Sequence, residues 1–343
     1  MKGLIFLGDR RLDIVQVDDP TPGDGEVVVE IKASGMCGSD LHPYRAPHNP
    51  DVPVTSRYIG GHEPSGIVAA VGPGVPAHVA KRGDRVMVHH YHGCGVCSHC
   101  RTGWPQLCRP ATRVTYSGNA HGAHAPYMKA VAGTLIPLHE DLSFEAGAAI
   151  ACGTGTAWGA LERLQLRGDA TIAVFGQGPV GLSATLLAAA QGARVVAIDI
   201  DNERLALATA FGADGVVNPR ETDPAQALCD LTNGHGVDCV VETSGSSQAA
   251  AAGLAALKTW GKLCMVGIGA SLNLEMRALL DRQVTVMTSY TMSTVGQQDC
   301  TDFVVQRGLD LDRLFTHRWP MDQAEEAYRL FDTQSTGKGV FLF

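Results

Sequence analysis

At 343 residues the chain is long for one domain and sufficient for two, each with its own core. Its 45% hydrophobic content, 18% charged content and 40 glycines exclude a disordered polymer and describe a soluble globular protein rich in tight turns. A net charge of −8, with no basic run to offset it, argues against nucleic acid or an anionic membrane as partner.

In chain order, the opening "MKGLIFLGDR" has too short an apolar stretch for a signal peptide and reaches Asp9 and Arg10 at once. The longest weakly polar run, 180–190, falls short of the roughly 20 residues that span a bilayer. A cytoplasmic location is expected, and in a reducing compartment ten cysteines read as metal ligands or core residues before disulfides. Residues 1–148 carry short β-rich runs, "EVVVEIKASG" (26–35), "SGIVAAVGPG" (65–74) and "DRVMVHH" (84–90), broken by Gly- and Pro-rich turns; a β-barrel-like domain is predicted. A lobe at about 90–110 holds Cys94, Cys97, Cys100 and Cys108 in the spacing C-x2-C-x2-C-x7-C. Four thiolates so placed can close a tetrahedral shell around one structural Zn2+. An iron–sulfur cluster or two disulfides are the rival readings.

Residues 149–290 change texture. "ATIAVFG", "VGLSATLLAAAQG", "ARVVAIDI" and "NERLALATAFGA" alternate strand and helix, the signature of a parallel, doubly wound α/β sheet. The first strand runs into "GQGPVG", which supplies Gly176, Gly178 and Gly181 in the G-x-G-x-x-G spacing, with Pro179 and Val180 opening the helix. Such a turn lets a pyrophosphate approach the backbone at a helix N-terminus. The second strand ends at Asp199, near the expected distance for an acid that binds the ribose 2′-hydroxyl, which selects NAD over NADP. Arg204, five residues on, either offsets that charge in part or is solvated on its helix. Residues 291–343 hold an amphipathic helix, "DQAEEAYRLF" (322–331), and a closing strand, "GVFLF". Cys229, Cys239, Cys264 and Cys300, in apolar or helical settings, read as core residues.

A catalytic zinc needs three protein ligands and an open position. "MCGSDLH" (36–42), "GGHEPSG" (60–66) and "ACGTGTAW" (151–158) offer Cys37, His62 and Cys152, although sequence separation alone does not bring them together. With the four-cysteine lobe, "HGAHAPYMKA" and "GQGPVG" they make six motifs in order along essentially the whole chain. On these motifs the sequence resembles the zinc-dependent medium-chain dehydrogenase/reductase family of alcohol and polyol dehydrogenases.

The resemblance implies a GroES-like β-barrel catalytic domain, interrupted by a Rossmann domain and completed by the C-terminal segment. It further implies two Zn2+ per chain and NAD. Cys37, His62 and Cys152 match the catalytic zinc ligands, and Glu63 an acid that enters the zinc shell or stands behind it. Asp40 matches the acid that orients the ligand histidine. Ser39 matches the hydroxyl that takes the alcohol proton, and His42 the residue that passes it to solvent. Thr156, Val266 and Ile268 fall where the family contacts the nicotinamide. His90 and His124 stand where relatives carry aromatic or apolar residues in the substrate pocket, so a polar pocket is expected. Against this, sorbitol-type enzymes usually use glutamate as third ligand and often lack the structural zinc, whereas this chain has Cys152 and the full lobe. Zinc-free relatives lack both cysteine sets. The expected activity is hydride transfer between a secondary or polar alcohol and NAD, giving an aldehyde or ketone. A polyol, sugar or amino-alcohol dehydrogenase of the sorbitol or threonine type is the alternative. The length is nearer that of the tetrameric microbial relatives, which favours a homotetramer.

Overall fold

The structure, a computed structural model, describes residues 1–335 and 337–343. The chain divides into two compact units: residues 1–155 with 293–343, and residues 156–292. No helix among the described residues is long and apolar enough to cross a membrane.

Among the described residues, the first unit is built on a seven-stranded sheet whose central strand is Glu26–Gly35. Its apolar residues Val27, Val29 and Ile31 point to one side and pack with Val68, Val86, Val88 and Met128. Strand Glu63–Val71 pairs with it antiparallel, and the register sets Gly35 opposite Glu63. That pairing brings the residues just after the first strand beside those just before the second. The C-terminal segment closes the same sheet: Lys338–Leu342 pairs with the 33–35 end of the central strand. Helix Ala324–Asp332 seats Tyr328 and Phe331 against Phe6, Tyr44 and Phe341. The two stretches of this unit, distant in sequence, therefore share one core.

The second unit is an all-parallel sheet of six strands among the described residues. From edge to edge they are Gly215–Val217, Arg194–Ile198, Thr171–Phe175, Val237–Glu242, Leu257–Met265 and Thr285–Thr288. In chain order this is 3-2-1-4-5-6, the dinucleotide-binding arrangement with its switch point beside the first strand. Helices Pro179–Ala190 and Asn202–Ala210 follow the first two strands. The second is capped by Asp201, whose carboxylate accepts from the amides of Glu203 and Arg204. The parallel α/β sheet is the one predicted from the strand–helix alternation.

Candidate metal centres and dinucleotide site

Three sequence-distant turns of the first unit meet at one cluster. The ligand atoms of Cys37, His62, Glu63 and Cys152 all lie within 4.8 Å of one another, and Cys37 Sγ is 3.9 Å from Cys152 Sγ. A tetrahedral Zn2+ with bonds of about 2.3 Å holds its sulfurs about 3.8 Å apart, so the donor set fits the ion. Cys37 and His62 flank the Gly35–Glu63 pairing, while Cys152 follows helix Phe144–Ala151, which packs on the same two strands.

The surroundings of the ligands are defined in detail. Asp40 Oδ1 lies 3.0 Å from His62 Nδ1 and its Oδ2 accepts from the Cys37 amide at 2.9 Å. One buried carboxylate thus turns His62 Nε2 toward the thiols and anchors the Cys37 loop. Burial opposes charge on His62, yet the Asp40 carboxylate and Cys37 outweigh it and hold the ring well above its usual range. Cys37 is held well below the thiol range, first by its hydrogen bond with Cys152 and against the effect of burial. Ser39 Oγ reaches both Cys37 Sγ, at 3.2 Å, and His62 Nε2, at 3.1 Å. His42, on the short helix Leu41–Arg45, is exposed to solvent.

Glu63 is fully buried, and its charge partner is Lys338, which is 2% exposed and forms an ion pair with it. The lysine also donates to the Met36 carbonyl at 3.3 Å. Burial pushes the Glu63 carboxyl up and the ammonium offsets part of that rise. Sequence reading missed Lys338. Its only signal is a lone lysine between two glycines at the start of an otherwise apolar strand.

His90 and His124 separate. His90 is buried with its ring 5.2 Å from that of His62, and its Nδ1 donates to the Ala151 carbonyl at 3.1 Å. Burial, then His62, keep its imidazole neutral by holding it well below the usual range. The expectation that His124 lines a polar substrate pocket is corrected. Its ring is completely buried, with Nδ1 2.8 Å from Ser34 Oγ and Nε2 2.7 Å from the Tyr328 hydroxyl. Both nitrogens are engaged inside the core, packed against Phe341, so neither can bond a substrate. A residue three positions before the barrel strand that opens at Tyr127 faces inward, and tertiary packing chose the inward direction.

The second cluster is Cys94, Cys97, Cys100 and Cys108, with ligand atoms within 4.8 Å of one another. Cys97 Sγ is 3.5 Å from Cys100 Sγ and 4.0 Å from Cys108 Sγ. These separations exceed the roughly 2.05 Å of a disulfide, and none of the ten cysteines, all among the described residues, is in one. They fit four donors around a single ion, whereas a cluster would interpose its own sulfides. The Cys94 amide donates to Cys108 Sγ and a Cβ on Gly93 would fall 2.4 Å from Cys100 Sγ, so backbone wraps the sulfurs closely. Cys108 is held at about 6, first by the Thr112 hydroxyl. Of the remaining cysteines, burial pushes Cys239 up to about 11 and Cys264 up to about 12, as befits inert core thiols.

In the second unit, Gly176 has φ +85° and a Cβ on Gly181 would lie 1.7 Å from the Gly176 carbonyl oxygen. Helix and strand therefore touch backbone to backbone at that point. A Cβ on Gly178 would meet nothing within 4 Å, which leaves the turn and the first amides of the Pro179–Ala190 helix open to a phosphate. Asp199 is buried, and its carboxylate accepts from the amides of Gln177, at 2.5 Å, and Asp201, at 3.0 Å. Arg204 Nη1 is 3.9 Å from Asp199 Oδ2, so it is paired with the acid. Val180 and Val266 are half-buried, Thr156 is buried and Ile268 exposed.

A Rossmann sheet joined in sequence to a GroES-like barrel with two zinc-competent donor sets defines a zinc-binding oxidoreductase. The sequence model of the alcohol dehydrogenase GroES-like domain matches residues 23–140, and that of zinc-binding dehydrogenases matches 179–307. The chain belongs to the zinc-dependent medium-chain dehydrogenase/reductase family. It is 35% identical to the zinc-type alcohol dehydrogenase-like protein YphC of Escherichia coli K12, over 98% of this chain and 97% of that one. It is 31% identical to sorbitol dehydrogenase of Bacillus subtilis 168, over 95% and 92% of the two chains. The solved structure of alcohol dehydrogenase TADH from Thermus sp. ATN1 superposes with a TM-score of 0.89 at 28% identity, covering 100% of this chain and 99% of that one.

Proposed function

We propose that this chain is an NAD-dependent zinc alcohol dehydrogenase that oxidises a polar secondary alcohol to the carbonyl compound, reversibly. The observation that carries the reading is the Cys37–His62–Cys152 set, with Ser39 Oγ at its edge and Glu63 neutralised behind it by Lys338. When bound, Zn2+ acts as a Lewis acid that acidifies an alcohol hydroxyl, and NAD accepts the hydride.

The chain's own residues do the rest. Ser39 Oγ takes the alcohol proton and hands its own on toward His42, whose exposed ring releases it to water. Asp40 holds His62 in the tautomer whose Nε2 is a ligand, and Lys338 keeps a buried carboxylate at Glu63 from standing uncompensated. Cys94, Cys97, Cys100 and Cys108 hold a second, structural zinc, giving two per chain. Asp199, between two backbone amides, presents its remaining acceptor capacity to the ribose hydroxyls and repels a 2′-phosphate.

His90 supports a polar substrate. Since Nδ1–H donates to Ala151, Nε2 is an acceptor on a neutral ring beside His62, suited to a second hydroxyl or an ammonium group. The sorbitol dehydrogenase relative supports the polyol version of this reading. A cytoplasmic homotetramer completes the proposal, the assembly resting on chain length alone.

Zinc analysis with an alcohol panel tests it. The wild type should hold two zincs, Cys37→Ser one and no turnover, and Cys100→Ser one with lowered stability. One zinc in both wild type and Cys37→Ser would remove the Lewis acid from the reading. Vicinal diols and amino alcohols should outpace a plain alkanol, and His90→Phe should reverse that order.

A further inference from the structure

At the carboxyl end of the parallel sheet, one acid serves no step described so far. Glu242, the last residue of strand Val237–Glu242, has no exposed surface. Its Oε1 accepts from the Ser244 amide at 2.7 Å, from the Ser244 hydroxyl and from the Gly245 amide at 3.0 Å. Its backbone carbonyl accepts from the amides of Val266, at 2.8 Å, and Gly267, at 2.9 Å. One residue therefore ties together two turns that leave neighbouring strands.

The turns interlock without spare room. A Cβ on Gly267 would stand 2.2 Å from the Gly245 amide nitrogen and 2.7 Å from Glu242 Oε2, and one on Gly245 would stand 2.4 Å from the Ile268 carbonyl oxygen. The course of 266–268 is thus set by how tightly Glu242 holds 244–245. A buried carboxylate here has a physical cost, since burial pushes its carboxyl up. Such a cost is repaid in structural order by the donors it gathers.

We infer that Glu242 is a positioning residue for the nicotinamide end of the cofactor, acting through the 244–245 and 266–268 turns. The inference rests on the dehydrogenase reading, which puts Val266 and Ile268 against the nicotinamide. It goes further by separating that half of the dinucleotide from the adenosine half. The latter is held by Asp199 and by the glycine turn, which packs on Ser244 and accepts from the Thr243 hydroxyl at 2.9 Å, whereas the donors to the Glu242 carboxylate come from 244–245. Glutamine at 242 keeps one oxygen for Ser244 and Gly245 but sets an NH2 group where Oε2 accepts from the Gly245 amide at 3.3 Å, so the grip on 245 loosens while shape and volume persist.

The experiment compares Kd for NADH, which carries the nicotinamide, with Kd for ADP-ribose, which lacks it, in wild type and Glu242→Gln. Expected is a rise of about tenfold for NADH with ADP-ribose within about twofold, at unchanged zinc content. A purely structural role would move both affinities together, and an unchanged ratio overturns the inference. Should Glu242→Gln fail to fold, Glu242→Asp, which keeps the charge but shortens the reach, is read the same way, with about a threefold change in the ratio expected. Wild type that binds ADP-ribose but not NADH would overturn the dehydrogenase reading, whereas normal NADH binding with an unchanged ratio in the variants would overturn this inference alone.

Discussion

Replacing Gly181 by alanine places a methyl carbon 1.7 Å from the Gly176 carbonyl oxygen. Ordinary van der Waals contact begins at 3.4 Å, so the start of the Pro179–Ala190 helix would have to retreat by about the same 1.7 Å from the strand it follows. Neither side of that contact is a side chain that could rotate away. Overpacking of this kind costs about 3 kcal/mol, the upper end of the usual range. In a protein of 343 residues that lowers the thermal midpoint by roughly 4 °C. NADH affinity falls with it, because the phosphate-binding amides move. Gly178→Ala is the contrasting perturbation: its φ of −72° suits alanine and its Cβ meets nothing. Stability should stay within about 0.5 kcal/mol of wild type. The methyl group would nonetheless occupy the space that a pyrophosphate must enter, and losing two charge-assisted hydrogen bonds weakens NADH about 100-fold. Circular dichroism melts paired with NADH fluorescence titrations read both quantities. A Gly181→Ala variant with wild-type melting and affinity, or a Gly178→Ala variant that binds NADH normally, would refute the reasoning.

Lys338→Met leaves the Glu63 carboxylate buried without its cation and should cost about 3–5 kcal/mol in urea unfolding, whereas adding Glu63→Gln to it should restore most of the loss; a single variant as stable as wild type would deny the pair. His124 makes stability pH-dependent. Burial lowers its pKa to about 4 in the folded state, against about 6.5 unfolded, so the neutral ring's contribution is complete above about 6.5 and is lost as pH falls toward 4. Between pH 7.5 and pH 5 the wild type should lose about 2 kcal/mol from this residue, and His124→Gln, which can still bond Ser34 and Tyr328, should lose that much less; parallel urea curves for the two proteins would contradict it. Asp199→Gly should move preference from NAD toward NADP while weakening both, since the carboxylate also holds the Gln177 and Asp201 amides; unchanged kcat/KM ratios for the two cofactors would take Asp199 off the ribose.

Much of this protein was legible from local pattern. Strand–helix alternation and three glycines at fixed spacing specify the parallel sheet and its phosphate turn, because those demands act over a few consecutive residues. The four-cysteine lobe is equally local, its donors confined to residues 94–108. What required the tertiary structure is everything that depends on which way a side chain turns. Cys37, His62 and Cys152 converge only because strands 26–35 and 63–71 pair in one register and helix Phe144–Ala151 packs on both. Lys338, some 275 residues from Glu63 in sequence, reaches it because the closing strand joins the same sheet. His90 and His124 look alike in the sequence, yet one stands beside the metal ligands and the other is locked in the core by Ser34 and Tyr328. Composition and spacing encode which chemistry a segment can do; direction and partner are decided by packing between segments far apart in the chain, where no local signal reaches.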